Sequence, residues 1–144
     1  MQTLSKVRSF RLSLLAAGAA LAFASGAFAQ EMKLTLSGDA EVPPVKTAAS
    51  GKGTIKVAPD KSVSGDVTIT GFAATMAHIH EAPAGQMNGN PIIPLKQEGS
   101  DKFVVPAGAK LTDAQSNALK AGNLYVNVHS AANPGGEVRA QLKP

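Results

Sequence analysis

The chain has 144 residues, a formal charge of +4 and no cysteine. The absence of cysteine excludes disulfides, thiolate metal sites and cysteine nucleophiles. Three of the 14 basic residues lie in an N-terminal segment that we expect to be removed, which leaves a formal charge of +1. That balance argues against a nucleic-acid partner or an anionic membrane surface.

Residues 1–29 have the pattern of a secretory signal peptide. Basic residues precede an apolar run over Leu14–Phe23, and the segment ends with an Ala-Phe-Ala cleavage motif at Ala29. The apolar run is shorter than the roughly 20 residues that span a bilayer. We therefore predict cleavage after Ala29, no membrane insertion after cleavage, and a periplasmic or secreted domain over residues 30–144.

Short alternating runs separated by turn residues predict an all-β domain of about seven strands. Pro59-Asp60-Lys61 predicts a hairpin turn between two β-branched runs, and Pro94 restricts its run to a sheet edge. We expect the two prolines after Glu41 to mark the exit from an edge strand. The seven runs are Lys33–Ser37, Gly53–Val57, Val63–Thr70, Met76–Glu81, Ile92–Leu95, Leu124–His129 and Glu137–Leu142.

One helix is predicted over Thr112–Ala121, in a connection between strands. Thr112 and Gln115 have the capping-box spacing, and Gly122 follows the expected end. Because its apolar residues are mostly alanine, we expect a side element outside the core. Seven short strands with one helix predict a Greek-key sandwich or a flattened barrel.

The three histidines of the chain fall in two predicted strands. His78 and His80 share one strand face because side chains alternate along a strand. In the later strand Leu124, Val126 and Val128 form the apolar face, which places His129 on the outer face. The same alternation places Tyr125 and Asn127 outward. In the last predicted strand, Val138, Ala140 and Leu142 form the apolar face, which places Arg139 outward.

Three imidazoles on the outer faces of neighbouring strands can converge on one metal ion at about 2.0–2.1 Å. The sequence therefore predicts a metal site at His78, His80 and His129. Tyr125, Asn127, Glu81 or water can complete the coordination, and a soft thioether can come from Met76 or Met87. The alternative, surface histidines with no ligand, stays open.

An all-nitrogen ligand set suits copper or zinc, and the Irving–Williams order favours Cu(II), so copper is the first expectation and zinc the second. Arg139 has two interpretations: a surface ion-pair partner of small effect, or a residue that attracts an anion or orients a neighbouring group. No hydrolase elbow, zinc-protease motif or phosphate-binding loop is present.

Six ordered motifs resemble the CHRD domain, a family named for its occurrence in chordin and widespread in exported bacterial proteins. The resemblance covers Leu34 to Leu142. The motifs are Glu41–Val45, Ala49–Gly51, Ala77–His80, Asn88-Gly89, Tyr125–His129 and Pro134–Arg139. The family's members often have glycine where this chain has Glu81 and Ala140, and neither difference affects the histidines.

A looser resemblance links the three histidines and Arg139 to the copper half of copper–zinc superoxide dismutases. It implies an immunoglobulin-like Greek-key β-sandwich, with His78, His80 and His129 as copper ligands and Arg139 guiding an anion. The bridging histidine, the zinc ligands and the cysteine pair of those enzymes are missing here.

Three functions follow as hypotheses. The first is an exported copper-binding protein for storage, delivery or protection, with no catalytic residue assigned. The second is a copper-dependent redox enzyme that resembles a dismutase. The third is an extracytoplasmic interaction module in which the histidines bind no metal; the sequence identifies no protein partner for it.

Overall fold

The structure is a computed structural model that describes residues 29–87 and 89–144. Residues 1–28 of the predicted signal peptide lie outside the described residues, so the signal peptide stays a prediction. A 3-10 turn covers Gly38–Ala40, and the helix α1 covers Asp113–Lys120. The strands are β1 (Gln30–Ser37), β2 (Ser50–Val57), β3 (Val63–Thr70), β4 (Ala74–Glu81), β5 (Pro91–Pro94), β6 (Lys96–Glu98), β7 (Lys102–Val104), β8 (Leu124–Ser130) and β9 (Val138–Leu142).

These nine strands of the described residues form one antiparallel sheet, in the order β5-β4-β8-β9-β1-β2-β3-β7-β6. The two edge strands, β5 and β6, are consecutive in the chain and are separated only by Leu95. The backbone N–H of Leu95 donates to the carbonyl of Ala77 in β4, at 2.9 Å. The sheet therefore nearly closes on itself.

The expectation of an all-β fold with one helix is confirmed. The strand count of seven was too low, and the immunoglobulin-like Greek-key sandwich is not confirmed, because one nearly closed sheet is closer to the flattened barrel. The missed strands are Lys96–Glu98 and Lys102–Val104. Each has only three residues, which is too short to show an alternating pattern.

Local turn predictions agree with the structure. The strands β2 and β3 form the predicted hairpin, and the N–H of Lys61 donates to the carbonyl of Ala58 at 2.8 Å in its turn. The proline-flanked strand β5 lies at a sheet edge, as expected. The nitrogens of Pro91 and Pro94 carry no hydrogen and cannot donate to a neighbouring strand, and a sheet edge tolerates such residues.

The helix begins and ends as predicted but packs differently. Thr112 and Gln115 form a complete capping box, and the N–H of Ala121 bonds back to the Asn117 carbonyl at 3.1 Å. The expectation that the helix lies outside the core was wrong. Leu119 is 1 % exposed and belongs to the hydrophobic core. One large apolar residue in the last turn is enough to anchor a short helix.

The inner face of the sheet forms the core. In β8, Leu124, Val126 and Val128 are completely buried and alternate with polar residues, as the sequence predicted. Further members of the core come from the other strands and from the helix. They include Leu36, Ile55, Val67, Ile79, Phe103, Leu119, Val138 and Leu142.

The outer face of β8 and β9 is also buried, which was not expected. Three irregular segments contact it: residues 41–45 (the strap), residues 82–87 with 89–90 (the loop) and residues 131–136 (the turn). The expectation that residues after Glu41 leave an edge strand was therefore wrong. Glu41 is 3 % exposed and contacts Asn127. A polar layer is enclosed between the sheet and these segments.

Candidate metal centre

Two neighbouring strands place the three histidines together. The strand β4 pairs with β8 so that Met76 lies opposite His129, and His80 lies opposite Tyr125. His78 and His80 are two residues apart and so share the outer face of β4. This adjacency was the condition that the sequence left open.

The three imidazoles have the spacing of a ligand set. One ligand nitrogen from each of His78, His80 and His129 lies within 4.8 Å of the others. The Nδ1 of His78 is 3.1 Å from the Nε2 of His129. Two nitrogens bound tetrahedrally to one ion at about 2.0–2.1 Å are roughly 3.3 Å apart. The rings therefore need only small shifts to share an ion.

Backbone carbonyls fix the tautomers of two of these rings. The Nδ1 of His80 is 2.9 Å from the carbonyl oxygen of Gly89, and the Nδ1 of His129 is 2.8 Å from that of Pro134. A carbonyl only accepts, so both Nδ1 atoms carry the hydrogen and both Nε2 atoms have a lone pair. The lone pair of His129 accepts a hydrogen bond from the Nδ1 of His78, whereas that of His80 has no such partner among the described residues. Metal-binding histidines are typically oriented in this way.

The Nε2 of His80 is buried and has no hydrogen-bond partner among the described residues. An unpaired buried polar atom costs roughly 1–3 kcal/mol, so such atoms are rare in native proteins. A metal ion between the imidazoles would satisfy this lone pair. This atom is the strongest single indication of a ligand.

Burial keeps the imidazoles neutral. Desolvation lowers the pKa of His78, His80 and His129 below the ordinary value of 6.5. Repulsion between the rings lowers the pKa of His78 and His80 further. Neutral imidazole is the form that binds metal, so the site stays competent below pH 6.5.

An aromatic stack supports His80 from the side opposite β5. The ring of Tyr125 lies parallel to the His80 ring, with centroids 4.9 Å apart. The guanidinium of Arg139 lies 3.5 Å from the centroid of Tyr125. The backbone N–H of Gly89 donates to the Tyr125 hydroxyl at 3.0 Å, so this glycine holds both His80 and its neighbour.

Arg139 does not face solvent. It is 1 % exposed and donates to the carbonyl oxygens of Gln86 and Pro83, at 3.0 and 3.4 Å. The surface ion pair suggested by the sequence is therefore wrong, and attraction of an anion stays a prediction. The side chain instead orients Tyr125 and binds the loop.

A second polar cluster positions the turn that holds His129. Glu137 accepts hydrogen bonds from Thr47, Ser130 and Asn133, and it is 6 % exposed. These bonds lower the pKa of the Glu137 carboxyl. The turn so fixed presents the carbonyl of Pro134 to His129.

Asn127 connects the strap to the same turn. Its amide nitrogen donates to Glu41 Oε1 at 3.1 Å and to the Gly135 carbonyl at 3.2 Å. Burial raises the pKa of Glu41 to about 7. A Cβ at Gly136 would overlap both Asn127 and Glu41, and this residue has φ +142°, so glycine is required there.

The residues proposed around the histidines separate into two groups. Tyr125, Asn127 and Arg139 form the layer just described, whereas Glu81 is exposed and is not part of the ligand grouping. Met76 and Met87 are 50 % and 71 % exposed. Sequence reasoning missed the roles of Glu41, Gly89, Pro134 and Glu137 at this site, and the place of all four in the recognised motifs was the indication that could have found them.

A comparison with protein families decides the family. The model of the CHRD domain matches residues 32–142, more than three quarters of the chain. The chain belongs to the CHRD domain family. The resemblance found in the sequence is thereby confirmed. No curated protein and no solved structure matches the chain significantly.

Five of the six CHRD motifs contribute to the histidine cluster and its surroundings. Ala77–His80 and Tyr125–His129 supply the histidines, Pro134–Arg139 supplies the turn and the guanidinium, and Glu41–Val45 supplies the strap. Of Asn88-Gly89, Gly89 contacts the site and Asn88 lies outside the described residues.

CHRD domains are typically extracellular. No helix in the described part of this CHRD chain is long and apolar enough to cross a bilayer.

Proposed function

We propose that this CHRD protein binds a transition-metal ion, copper in the first place, through His78, His80 and His129, in the periplasm or outside the cell. The observation that supports it most is the convergence of three imidazole nitrogens, with the Nε2 of His80 buried and unpaired. Its role is copper storage, delivery or protection, and zinc is the second ion to test.

The structure contains the features expected of a prepared ligand set. Two rings are oriented by carbonyl oxygens before any ion arrives, and all three are held neutral by burial. Preorganised neutral ligands reduce the cost of binding because little is reordered or deprotonated. A redox enzyme that uses Arg139 to attract an anion is not supported, because that guanidinium is enclosed.

Calorimetric titration of tag-free protein with Cu(II) and Zn(II) tests the proposal. We expect one ion per chain, and a loss of affinity of more than about 100-fold in a His78→Ala/His80→Ala variant, since even outer partners of metal-binding histidines contribute 10–100-fold. Thr35→Ala, on an exposed strand face, is the matched control. Equal binding by the double variant and the parent would contradict a histidine site.

Elemental analysis of protein isolated from its native compartment without added metal gives an independent check. Copper at about one atom per chain supports the proposal. Metal-free protein that binds an envelope partner equally well with and without chelator would favour the interaction module instead.

A further inference from the structure

The ligand set has no negative charge. The grouped ligand atoms in the described residues come from three histidines alone, with no carboxylate among them. A bound ion therefore keeps its whole charge in a half-buried environment. Burying charge without a counter-charge is costly, and the cost is larger for a divalent than for a monovalent ion.

A fixed positive charge lies behind His80. The strand β8 runs between β4 and β9, so Tyr125 separates His80 from Arg139. The stack places the guanidinium one aromatic ring away from the ligand imidazole. In the described part of the chain no carboxylate lies within ion-pair distance of Arg139, and Glu41 attracts the guanidinium only from a longer distance. Its field therefore opposes further positive charge at the metal centre.

The two buried acids nearby are engaged elsewhere. The Glu41 carboxyl accepts hydrogen bonds from the amide of Asn127. In Glu137, Oε1 accepts from the Thr47 hydroxyl, and Oε2 accepts from Ser130 and Asn133. Neither has a hydrogen bond to an imidazole among the described residues. They hold the covering segments and do not form part of the ligand set.

A neutral soft donor lies on the same face of β4 as His78 and His80. Met76 is on the same strand, two residues before His78, and lies directly opposite His129. It is 50 % exposed, so nothing in the core fixes its thioether. Thioether ligands select Cu(I) over harder divalent ions.

We propose that the three-histidine centre prefers Cu(I) to divalent ions, and that the buried charge of Arg139 helps to set this preference. The inference rests on the proposed metal-binding function and specifies its ion. Imidazole and thioether donors leave a monovalent ion with a single uncompensated charge beside the guanidinium. The guanidinium repels a divalent ion at the same place about twice as strongly.

The first experiment measures the affinities for Cu(I), Cu(II) and Zn(II) and the reduction potential of the bound copper. We expect tighter binding of Cu(I) than of either divalent ion, and hence a potential above that of the aqueous copper couple. Tighter binding of Cu(II) or Zn(II) would overturn this inference and leave the metal-binding function intact. Loss of all histidine-dependent binding would overturn both.

The second experiment adds a negative charge at an exposed position. Met76→Glu is compared with Met76→Gln, because both lack the thioether and differ by one charge. The Glu variant should shift the affinity ratio toward divalent ions by about tenfold, which lowers the potential by about 59 mV for a one-electron couple. Identical potentials in the two variants would contradict the electrostatic basis.

The third experiment removes the buried charge. Arg139→Gln should lower the reduction potential, whereas Arg139→Lys, which keeps the charge, should stay close to the parent. Because Arg139 is buried, circular dichroism must first show that each variant folds. If Arg139→Gln does not fold, the comparison of Arg139→Lys with the parent, together with the Met76 pair, tests whether charge sets the potential. A fall of equal size in the Lys variant would contradict a role for charge.

Discussion

The two halves of the sheet have the same alternating pattern and opposite surroundings. On β1 and β2 the outward residues Thr35 and Lys52 pair across the strands and are exposed. On β8 and β9 the outward residues Asn127 and Arg139 pair in the same way and are buried. Alternation therefore defines the face of a strand, whereas the irregular segments determine whether that face is exposed to water.

The largest contrast is expected from matched substitutions in the two halves. Asn127→Leu removes the buried amide that donates to the Glu41 carboxyl and to the Gly135 carbonyl, so the free energy of unfolding should fall by about 4 kcal/mol. Thr35→Val on the exposed half should change it by less than about 0.5 kcal/mol. Urea denaturation of both variants measures the difference, and similar losses would show that the covering of β8 is unimportant.

The buried carboxyl of Glu41 should make the stability of the covered half depend on pH. The pKa of Glu41 is raised to about 7 in the folded protein from an ordinary value of 4.5. The protonated Glu41 carboxyl therefore contributes about 3 kcal/mol to the free energy of unfolding below pH 4.5. This contribution is lost as the pH rises through 7.

Glu41→Gln provides the control, because an amide oxygen can still accept from Asn127. The variant should match the parent near pH 4.5 and exceed it at pH 8. Denaturation of the metal-free protein across this range measures the effect. The lowered histidine pKa values act in the opposite direction in both proteins, since their contribution is lost as the pH falls below 6.5. Equal profiles for parent and variant would exclude a raised pKa at Glu41.

A smaller effect is expected from the hydroxyl of Tyr125. Tyr125→Phe keeps the stack between His80 and Arg139 and removes the hydroxyl that accepts from the Gly89 N–H. The loss of stability should be about 1 kcal/mol. Amide hydrogen exchange should show faster exchange at Gly89 and unchanged exchange at Ile55, which lies in the other half. Unchanged exchange at Gly89 would rule out this hydrogen bond.

The smallest effect belongs to the exposed half. Lys102 and Asp66 approach to 3.6 Å on β7 and β3, and both side chains are about half exposed. Lys102→Met should change the free energy of unfolding by less than about 0.5 kcal/mol, because surface ion pairs contribute little. A loss above about 1 kcal/mol would make this half as dependent on its polar contacts as the covered one.

The same contrast explains what the sequence could reveal. The alternation of β8 predicted the outward direction of Tyr125 and His129, and the histidine spacing predicted the cluster that the structure contains. The burial of Asn127 and Arg139 could not be predicted, because it depends on segments distant in the chain. Glu41 is 86 residues from Asn127, and nothing in its local sequence specifies that contact.

The near closure of the sheet has a consequence for a chain without disulfides. Free strand edges invite pairing with other polypeptides, and long exposed ones promote aggregation. Here the segment through Leu95 passes from one edge strand to the other and bonds to β4 on the way. Both edge strands are also very short, four residues in β5 and three in β6, and short margins offer little backbone for a neighbouring molecule to add a strand.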